Sequence, residues 1–371
     1  MPYCSLFLVL CCLIGKVVSA QAEGDPPVRL AVAGLSHGHA GWLRQLDTLG
    51  EYIELVGIAE SDTALVNRMA DYLDFPRERI YPTLSALLAA EQVEAVAAFG
   101  STYEHLAVVE TCAPRGIHVM VEKPLAVDVP TAERMAALAR RHGIHLLTNY
   151  ETNWMPGVVH TAELARAGEL GELRHLVFRT GHMGPAKIGL SEQFLEWLTD
   201  PVLNGGGALM DFGCYGANMA TYLMGAAPDT VIRLVQQTQP ELYPPGVEDV
   251  ATLILRYPET EVVIQAAWNW PHHVKDMDVY GTEGYALNFH RDSVEVRTAI
   301  GTEGEVRRRV AAPGLAQEWA SPFRYFAEVV RGRVVVERYG VYGLENNLEV
   351  IRILMGGVGL GGGAGGRGVG N

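Results

Sequence analysis

Short apolar runs alternate with longer amphipathic stretches over the first half of the chain. The pattern predicts strands at 28–33, 54–59, 95–99, 119–121 and 144–148, and helices at 63–73, 84–90, 103–115 and 131–142. Strands that alternate with helices indicate βαβ units, which build a parallel sheet covered on both faces. The sequence therefore predicts an α/β, doubly wound, Rossmann-type domain over residues 28–149.

The pattern of apolar and polar residues changes at Tyr150, and predicted strands outnumber predicted helices after it. Further β-runs are predicted at 172–181, 231–238, 251–257, 262–268, 276–280 and 293–298, and a helix at 344–355. Such a series indicates an α+β domain with an open, mainly antiparallel sheet, here residues 150–355. Ten of the 16 residues at 356–371 are Gly, so this tail is predicted to be disordered and receives no function.

The first twenty residues have the pattern of an export signal. An apolar core runs from Leu6 to Ile14, and small residues precede Gln21 at a plausible cleavage point. The alternative is an uncleaved membrane anchor, but a span needs about 20 apolar residues and Lys16 interrupts the run. We expect residues 1–20 to be a signal peptide and the mature protein to be periplasmic or secreted.

Charge and cysteine content exclude several classes of protein. The net charge of −14 argues against a nucleic-acid partner, because phosphate binding needs a basic face. After removal of the signal, Cys112 and Cys214 are the cysteines that remain. We therefore expect neither a disulfide framework nor a zinc ribbon.

A glycine turn follows the first predicted strand. It partly matches the dinucleotide fingerprint G-x-G-x-x-G, with Gly34 in the first position and Ser36 and His39 replacing the next two glycines. Such a turn brings backbone N–H groups to a pyrophosphate at a helix N-terminus. Glu60 lies 26 positions after Gly34, where an acid can accept hydrogen bonds from ribose hydroxyls and repel a 2′-phosphate, so NAD is favoured over NADP.

The run His118–Glu122 continues into Lys123 and Pro124 before a helix begins. Ligands of open α/β sheets bind at the carboxyl ends of the strands. Pro124 restricts the backbone of Lys123. A lysine held at that position can face a cofactor.

Three glycines at 205–207 precede a predicted helix that contains Asp211 and Tyr215. The spacing of four residues places both side chains on one helical face. A carboxylate and a phenol are therefore expected together. The alternative is an amphipathic helix whose tyrosine is part of the core.

These motifs together resemble the Gfo/Idh/MocA family of oxidoreductases, from about residue 28 to about 354. The resemblance implies catalysis by Lys123, Asp211 and Tyr215, although the family pattern usually has His in place of Tyr215. It implies oligomer contacts through the second domain, and a homo-oligomer is expected. The cofactor-binding residues that it implies, together with the turn, are Gly34, Ser36, His37, Gly38, His39, Glu60, Thr102, His105, Glu122 and Lys123.

The expected activity is NAD(P)-dependent hydride transfer to or from a sugar, a polyol or a related hydroxy compound. Tyr215 is the expected acid/base, and Lys123 is expected either to favour its phenolate or to polarise the oxygen directly. The alternatives are an NAD-dependent glycoside hydrolase of the same family and a non-catalytic sugar-binding relative. No metal is expected at His37, His39 and His105. His182 is interpreted as a solvated loop residue, and residues 268–271 as either a sugar-binding strip or core.

Overall fold

The computed structural model describes residues 25–289, 291–316 and 321–359. The predicted export signal lies outside the described residues, as do residues 360–371 of the glycine-rich tail. Within the described ranges, the model contains no helix with the length and apolar character that crossing a membrane requires.

The first domain contains a six-stranded sheet. The sheet is parallel, as predicted, but the short strand Ile80–Tyr81 was not among the five predicted strands. Its strands are β1 (Val28–Ala33), β2 (Ile53–Ala59), β3 (Ile80–Tyr81), β4 (Ala95–Ala98), β5 (His118–Glu122) and β6 (Leu146–Asn149). They lie in the order β3-β2-β1-β4-β5-β6, so the chain reverses direction across the sheet between β1 and β4. In doubly wound sheets, ligands bind at that point, outside the carboxyl ends of the strands.

Helices cover both faces of this sheet. A 3-10-type helix over Gly38–Thr48 follows β1, and α1 (Thr63–Leu73), α2 (Leu84–Ala90), α3 (His105–Cys112) and α4 (Val129–His142) follow later strands. Asp62 and Asp128 accept hydrogen bonds from the first turns of α1 and α4, as N-cap side chains do. The alternation of the sequence therefore predicted these elements to within a few residues.

The second domain contains a nine-stranded sheet. Its strands are β7 (Leu173–Gly181), β8 (Thr230–Gln236), β9 (Val250–Arg256), β10 (Glu261–Ala267), β11 (Val274–Gly281), β12 (Gly284–Phe289), β13 (Ser293–Thr298), β14 (Val306–Ala311) and β15 (Val358–Gly359). Their order is β14-β13-β12-β11-β7-β10-β9-β8-β15. The pairs β7–β10 and β8–β15 are parallel and the other pairs are antiparallel, which confirms the predicted class.

Three strands of this sheet, β12, β14 and β15, were not predicted from the sequence. Strand β14 contains Arg307, Arg308 and Arg309, which have no apolar alternation, and it forms an edge that pairs only with β13. Strand β15 lies at the start of the tail that was predicted to be disordered. Its backbone pairs with β8, and backbone hydrogen bonds at a sheet edge do not depend on side chains.

The helices of the second half are α5 (Pro156–Arg166), α6 (Glu192–Leu198), α7 (Cys214–Met224), α8 (Pro322–Val330) and α9 (Leu344–Met355). Phe323 and Phe326 of α8 are buried in the core of the first domain. Ile351 of α9 packs against the first domain, whereas Ile353 packs against the second. The chain therefore returns to the first domain after the second sheet, and α9 packs against the cores of both domains.

Candidate active site

A cavity of about 470 Å³ lies at the carboxyl ends of β1, β2 and β4. The predicted residues Gly34, Ser36, Glu60 and His105 line it, together with Gln193 of α6. The backbone of Gly34 has a φ of +78°, and a Cβ there would lie 2.8 Å from the Cα of Gly100. Glycine is therefore required at this turn, and the turn keeps the cavity open above the strand ends.

The N–H groups of the turn show how a pyrophosphate would be held. Leu35 N donates to Glu60 Oε2, and His37 N donates to the carbonyl of Phe99. His39 N donates to Nδ1 of His37, which acts as the N-cap of the following helix. The N–H groups of Ser36 and Gly38 have no acceptor within the described part of the chain, so they are available to a phosphate oxygen.

Gly38 is needed for a second reason. A Cβ on Gly38 would lie 2.9 Å from the ring of Phe194 in α6, which belongs to the second domain. The rings of Phe194 and Trp197 lie 4.8 and 5.7 Å from the ring of His37. The second domain therefore covers the turn, and His37 is buried between the turn and helix α6. Burial lowers the pKa of His37 well below its ordinary value, so His37 is neutral.

The carboxylate of Glu60 accepts three backbone hydrogen bonds. Oε2 accepts from Leu35 N at 2.9 Å, and Oε1 accepts from the N–H groups of Ser61 and Asp62 at 2.7 and 2.8 Å. A carboxylate has about four acceptor positions, so one remains for a ribose hydroxyl. The carboxylate therefore holds the β1 and β2 loops together in addition to lining the cavity.

Thr102 and His105 have structural partners that the sequence did not indicate. Thr102 is buried, and its hydroxyl donates to Oδ1 of Asn204 at 3.3 Å in the second domain. Nδ1 of His105 lies 3.1 Å from the carbonyl of Leu125, two residues after Lys123. Thr102 does not line the cavity, whereas His105 lines it and also fixes the segment after β5.

Glu122 is buried at the end of β5 and is not part of the cavity wall. Its Oε2 lies 2.9 Å from Nδ1 of His39, and its Oε1 accepts from Nδ2 of Asn149 at 2.7 Å. Burial alone would raise the pKa of Glu122, but His39, His37 and Asn149 outweigh it and bring the pKa to about 2. Glu122 is therefore an ionised carboxylate, next to Lys123 in the chain, that positions the side chains of His39 and Asn149.

His37, His39 and Glu122 also place three potential metal-ligand atoms within 4.8 Å of one another. The hydrogen bond that Nδ1 of His37 accepts from His39 N leaves the proton of the neutral ring on Nε2. That Nε2 is the atom aimed at Glu122, at 3.9 Å, and a protonated nitrogen has no lone pair for a metal. The geometry favours a hydrogen-bonded cluster, and the absence of a metal stays a prediction.

Lys123 and Asp211 form a buried ion pair. Lys123 Nζ donates to Oδ1 of Asp211 and to its carbonyl oxygen, the latter at 3.1 Å. Oδ2 of Asp211 accepts from Nε1 of Trp268 at 2.9 Å. Burial opposes both charges, but their attraction outweighs it: the pKa of Asp211 falls to about 2 and that of Lys123 is raised. Of the three N–H groups of the ammonium, one remains for a ligand.

The segment before α7 brings Asp211 to this pair. Gly207 must be glycine, because a Cβ there would lie 2.0 Å from the carbonyl oxygen of Glu248. The Glu248 carboxylate accepts from the N–H groups of Gly207 and Leu209 at 2.9 Å and so caps the beginning of the helix. Leu209–Gly213 then forms a π-helical turn, a feature frequent at functional sites.

The hydroxyl of Tyr215 lies beside a second lysine. It is 3.4 Å from Nζ of Lys275, which is ion-paired with Glu151. Lys123 Nζ lies 5.4 Å from the centroid of the Tyr215 ring. The structure thus brings Lys123, Asp211 and Tyr215 together, but the polar group at the Tyr215 hydroxyl is not Lys123 as expected. Burial and then Glu151 raise the pKa of Tyr215 well above 10, so Tyr215 is a neutral phenol.

Lys275 was not predicted as a site residue, and His182 was predicted as a solvated loop residue. On strand β11, Lys275 lies on the same face as the buried residues Met277 and Val279. The alternation along the strand therefore indicated that this lysine faces inward. His182 is buried rather than solvated, because its Nδ1 accepts from Gly184 N at 2.9 Å and its ring packs on Phe212. Of residues 268–271, Trp268 is fully buried, whereas Asn269 and Pro271 are exposed. Burial therefore indicates core for Trp268 alone, and the role of the segment stays a prediction.

Comparisons with known proteins give relatives over most of the chain. A D-xylose 1-dehydrogenase [NADP(+)] of Haloarcula marismortui is 27% identical over 77% of this chain and 73% of its own length. A D-apiose dehydrogenase of Paraburkholderia graminis is 26% identical, with 90% and 85% covered. The fold is similar to that of an inositol dehydrogenase homolog from Azotobacter vinelandii, with a TM-score of 0.75, 18% identity and 90% and 97% covered.

Two family models match the two domains that the structure shows. Residues 28–150 match the oxidoreductase family with an NAD-binding Rossmann fold, and residues 158–287 match the GFO/IDH/MocA C-terminal domain. The matched residues include the turn at Gly34, the Lys123 segment and the helix of Tyr215. The chain is a member of the GFO/IDH/MocA oxidoreductase family.

Proposed function

We propose that the protein transfers a hydride between a nicotinamide dinucleotide and a hydroxyl-bearing carbon of an uncharged sugar or polyol. The observation that carries the proposal is the buried Lys123–Asp211 pair, which lies where β5 ends and where the second domain closes over the first. Buried ion pairs rarely add stability, so their presence at a strand end supports a role in chemistry.

The residues around the cavity fit a dinucleotide. Ser36 and Gly38 have N–H groups that no acceptor among the described residues takes up, so both are open to the pyrophosphate, and Glu60 retains an acceptor for the adenosine ribose. When bound, the nicotinamide accepts or returns the hydride. Lys123 provides one N–H that polarises the oxygen of the reacting carbon, and its raised pKa keeps it charged.

NAD is the proposed cofactor rather than NADP. Three carboxylates line the cavity, those of Glu60, Asp62 and Glu104, and no Lys or Arg is among its described lining residues. A 2′-phosphate would therefore meet negative charge and find no cation. One of the relatives is named as an NADP(+) enzyme, so the preference is a proposal for this chain only.

The charges of the site support an uncharged substrate. Lys123 is paired with Asp211, and Lys275 is paired with Glu151. A phosphate or carboxylate on the substrate would need a cation of its own, and these two are already neutralised. The names of the two sequence relatives, dehydrogenases of D-xylose and D-apiose, agree with a neutral sugar.

A substrate panel tests the proposal. NADH formation would be followed at 340 nm with neutral pentoses, hexoses and inositols, in parallel with uronic acids and sugar phosphates. We expect turnover with members of the neutral group and with NAD⁺. Turnover of uronic acids or sugar phosphates alone would contradict the proposal that the substrate is uncharged. Cleavage of an aryl glycoside without net NADH formation would instead identify the glycoside hydrolase of the sequence analysis.

Export and oligomer formation remain proposals as well. The apolar core at 6–14 supports export, and the family resemblance supports a homo-oligomer through the second domain. Size-exclusion chromatography with light scattering would test the second. A monomer at micromolar concentration would contradict it.

A further inference from the structure

Lys275 has an unusual position for a lysine. It lies on the inward face of β11, in the same phase as Met277 and Val279, and is 6% exposed. Its Nζ lies 3.4 Å from the hydroxyl of Tyr215 and 4.5 Å from the centroid of that ring. Lysine is seldom buried without a partner, and here the partner is the carboxylate of Glu151.

Glu151 connects this lysine to solvent. Its side chain is 22% exposed, compared with 4% for that of Lys275. The carboxylate also faces Nε2 of His39 and Nη1 of Arg291, at 3.9 and 3.8 Å. Tyr215, Lys275 and Glu151 therefore form a row that begins at a buried phenol and ends at a carboxylate in contact with water.

The three groups of the row differ in protonation state, and the ionised carboxylate lies at the solvent end. Tyr215 is a neutral phenol, because burial raises its pKa. Burial lowers the pKa of Lys275 more than Glu151 raises it, so this ammonium releases a proton more readily than an ordinary lysine. The pKa of Glu151 is about 2: burial alone would raise it, but Lys275 and His39 outweigh burial. Once Lys275 has passed a proton to Glu151, the lone pair on its Nζ can accept the proton of the Tyr215 phenol.

We propose that Lys275 and Glu151 carry the proton of the substrate hydroxyl from Tyr215 to solvent; the inference rests on the proposed function. During oxidation, the O–H bond of the substrate breaks as an O–H bond to Tyr215 forms. A Lys275 proton passes to Glu151, which returns it to water, and the lone pair that this leaves on Nζ accepts the original phenol proton. The electron pair of the C–H bond leaves as the hydride to the nicotinamide, so charge and electrons balance.

A positive charge beside Tyr215 would explain the same geometry without any proton transfer. Arginine separates the two roles. Lys275→Arg keeps the charge and the donor, but guanidinium does not release a proton in proteins. A purely electrostatic or packing role predicts an active arginine variant, and a relay predicts an inactive one.

The experiment compares Lys275→Arg, Lys275→Met and Glu151→Gln with the parent. The matched control is Arg179→Gln, which removes an ion pair with Asp278 on the outward face of the same strand pair, β7 and β11. Steady-state oxidation is measured with the best neutral substrate at saturating NAD⁺, and thermal unfolding and NAD⁺ affinity are measured on each variant.

We expect kcat to fall by about 10²-fold or more in both Lys275 variants, as for a lost proton-transfer group. KM should change by less than about threefold, and the control should match the parent. In a further variant, Lys275→Ala, added methylamine should restore part of kcat and added guanidine should not. A Lys275→Arg variant within about threefold of the parent would overturn the relay while leaving the proposed function intact. A parent without turnover would overturn both.

Discussion

The ammonium nitrogen of Lys123 lies over the ring of Tyr215, 5.4 Å from its centroid, whereas the Tyr215 hydroxyl lies 3.4 Å from Nζ of Lys275. The sequence left two roles open for this lysine, to stabilise a Tyr215 phenolate or to polarise the oxygen directly. The geometry instead ties Lys123 to Asp211, whose carboxylate and carbonyl accept two of its three N–H groups. In the proposed function, Lys123 polarises the substrate oxygen, and in the proposed relay the neutral phenol of Tyr215 accepts one proton and donates another.

Removal of the Lys123 charge is expected to lower both turnover and stability. Lys123→Met should reduce kcat by about 10² to 10⁴. It also leaves the buried Asp211 carboxylate unpaired, which costs about 3–5 kcal/mol of unfolding free energy. Chemical unfolding and steady-state kinetics measure the two effects.

The double variant Lys123→Met with Asp211→Asn separates these effects. It removes both charges, so we expect stability to recover towards the parent while activity stays lost. A double variant that regains activity would contradict the role of Lys123 in catalysis. A single variant as stable as the parent would contradict the buried ion pair.

The sequence predicted the elements that depend on local pattern. Strand β1 and helix α1 were predicted with their observed bounds, because apolar runs and an Asp N-cap are local signals. The turn at Gly34 was also predictable, since it depends on one backbone angle. The residues of the predicted catalytic group, Lys123, Asp211 and Tyr215, lie together in the structure.

The remainder depends on contacts between distant residues. Lys275 lies 124 positions after Glu151, and neither neighbourhood indicates the other. The return of α8 to the first core and the contact of Phe194 with Gly38 are likewise tertiary. The π-helical turn Leu209–Gly213 contains Asp211 and ends before Tyr215, so the α-helical spacing assumed between the two residues does not hold throughout. No sequence periodicity signals this turn.

Cofactor preference gives a second prediction. The parent should bind NAD⁺ at least about tenfold more tightly than NADP⁺, because the 2′-phosphate would face three carboxylates. Ser61 is exposed and lines the same cavity, so Ser61→Arg should reduce the ratio. Calorimetric titrations of both dinucleotides measure it, with Ser61→Ala as the control. Tighter NADP⁺ binding by the parent would contradict the role of the acidic cavity.

The export proposal predicts the N-terminus of the mature protein. Cleavage after Ala20 gives a chain that begins at Gln21. Expression with the complete sequence, cell fractionation and N-terminal sequencing would identify it. Recovery of chains that begin at Met1 from the cytosolic fraction would contradict export.

Acid stability gives a fourth prediction, based on Glu122. Its pKa in the folded protein is about 2, below the ordinary value of 4.5. A lowered carboxyl pKa contributes stability that is complete above about pH 4.5 and is lost as pH falls towards 2. One pKa unit corresponds to about 1.4 kcal/mol, so the loss is on the order of 3 kcal/mol.

Glu122→Gln isolates this contribution. The amide oxygen can still accept from Asn149, but no carboxyl titrates. We expect the variant to be less stable than the parent at pH 7 and the difference to shrink as pH falls from about 4.5 to 2. Urea unfolding at several pH values measures it. A difference that stays constant over this range would show that Glu122 titrates normally.

The last prediction concerns the Tyr215 hydroxyl. Tyr215→Phe keeps the buried ring and its packing but removes the group that lies 3.4 Å from Lys275. We expect kcat to fall by about 10² or more with little change in unfolding free energy, since the relay loses its first member. Tyr215→His should retain part of the activity with a lower pH optimum, because imidazole titrates near about 6.5. Steady-state pH profiles of both variants measure this, and a Tyr215→Phe variant as fast as the parent would return Tyr215 to a packing role.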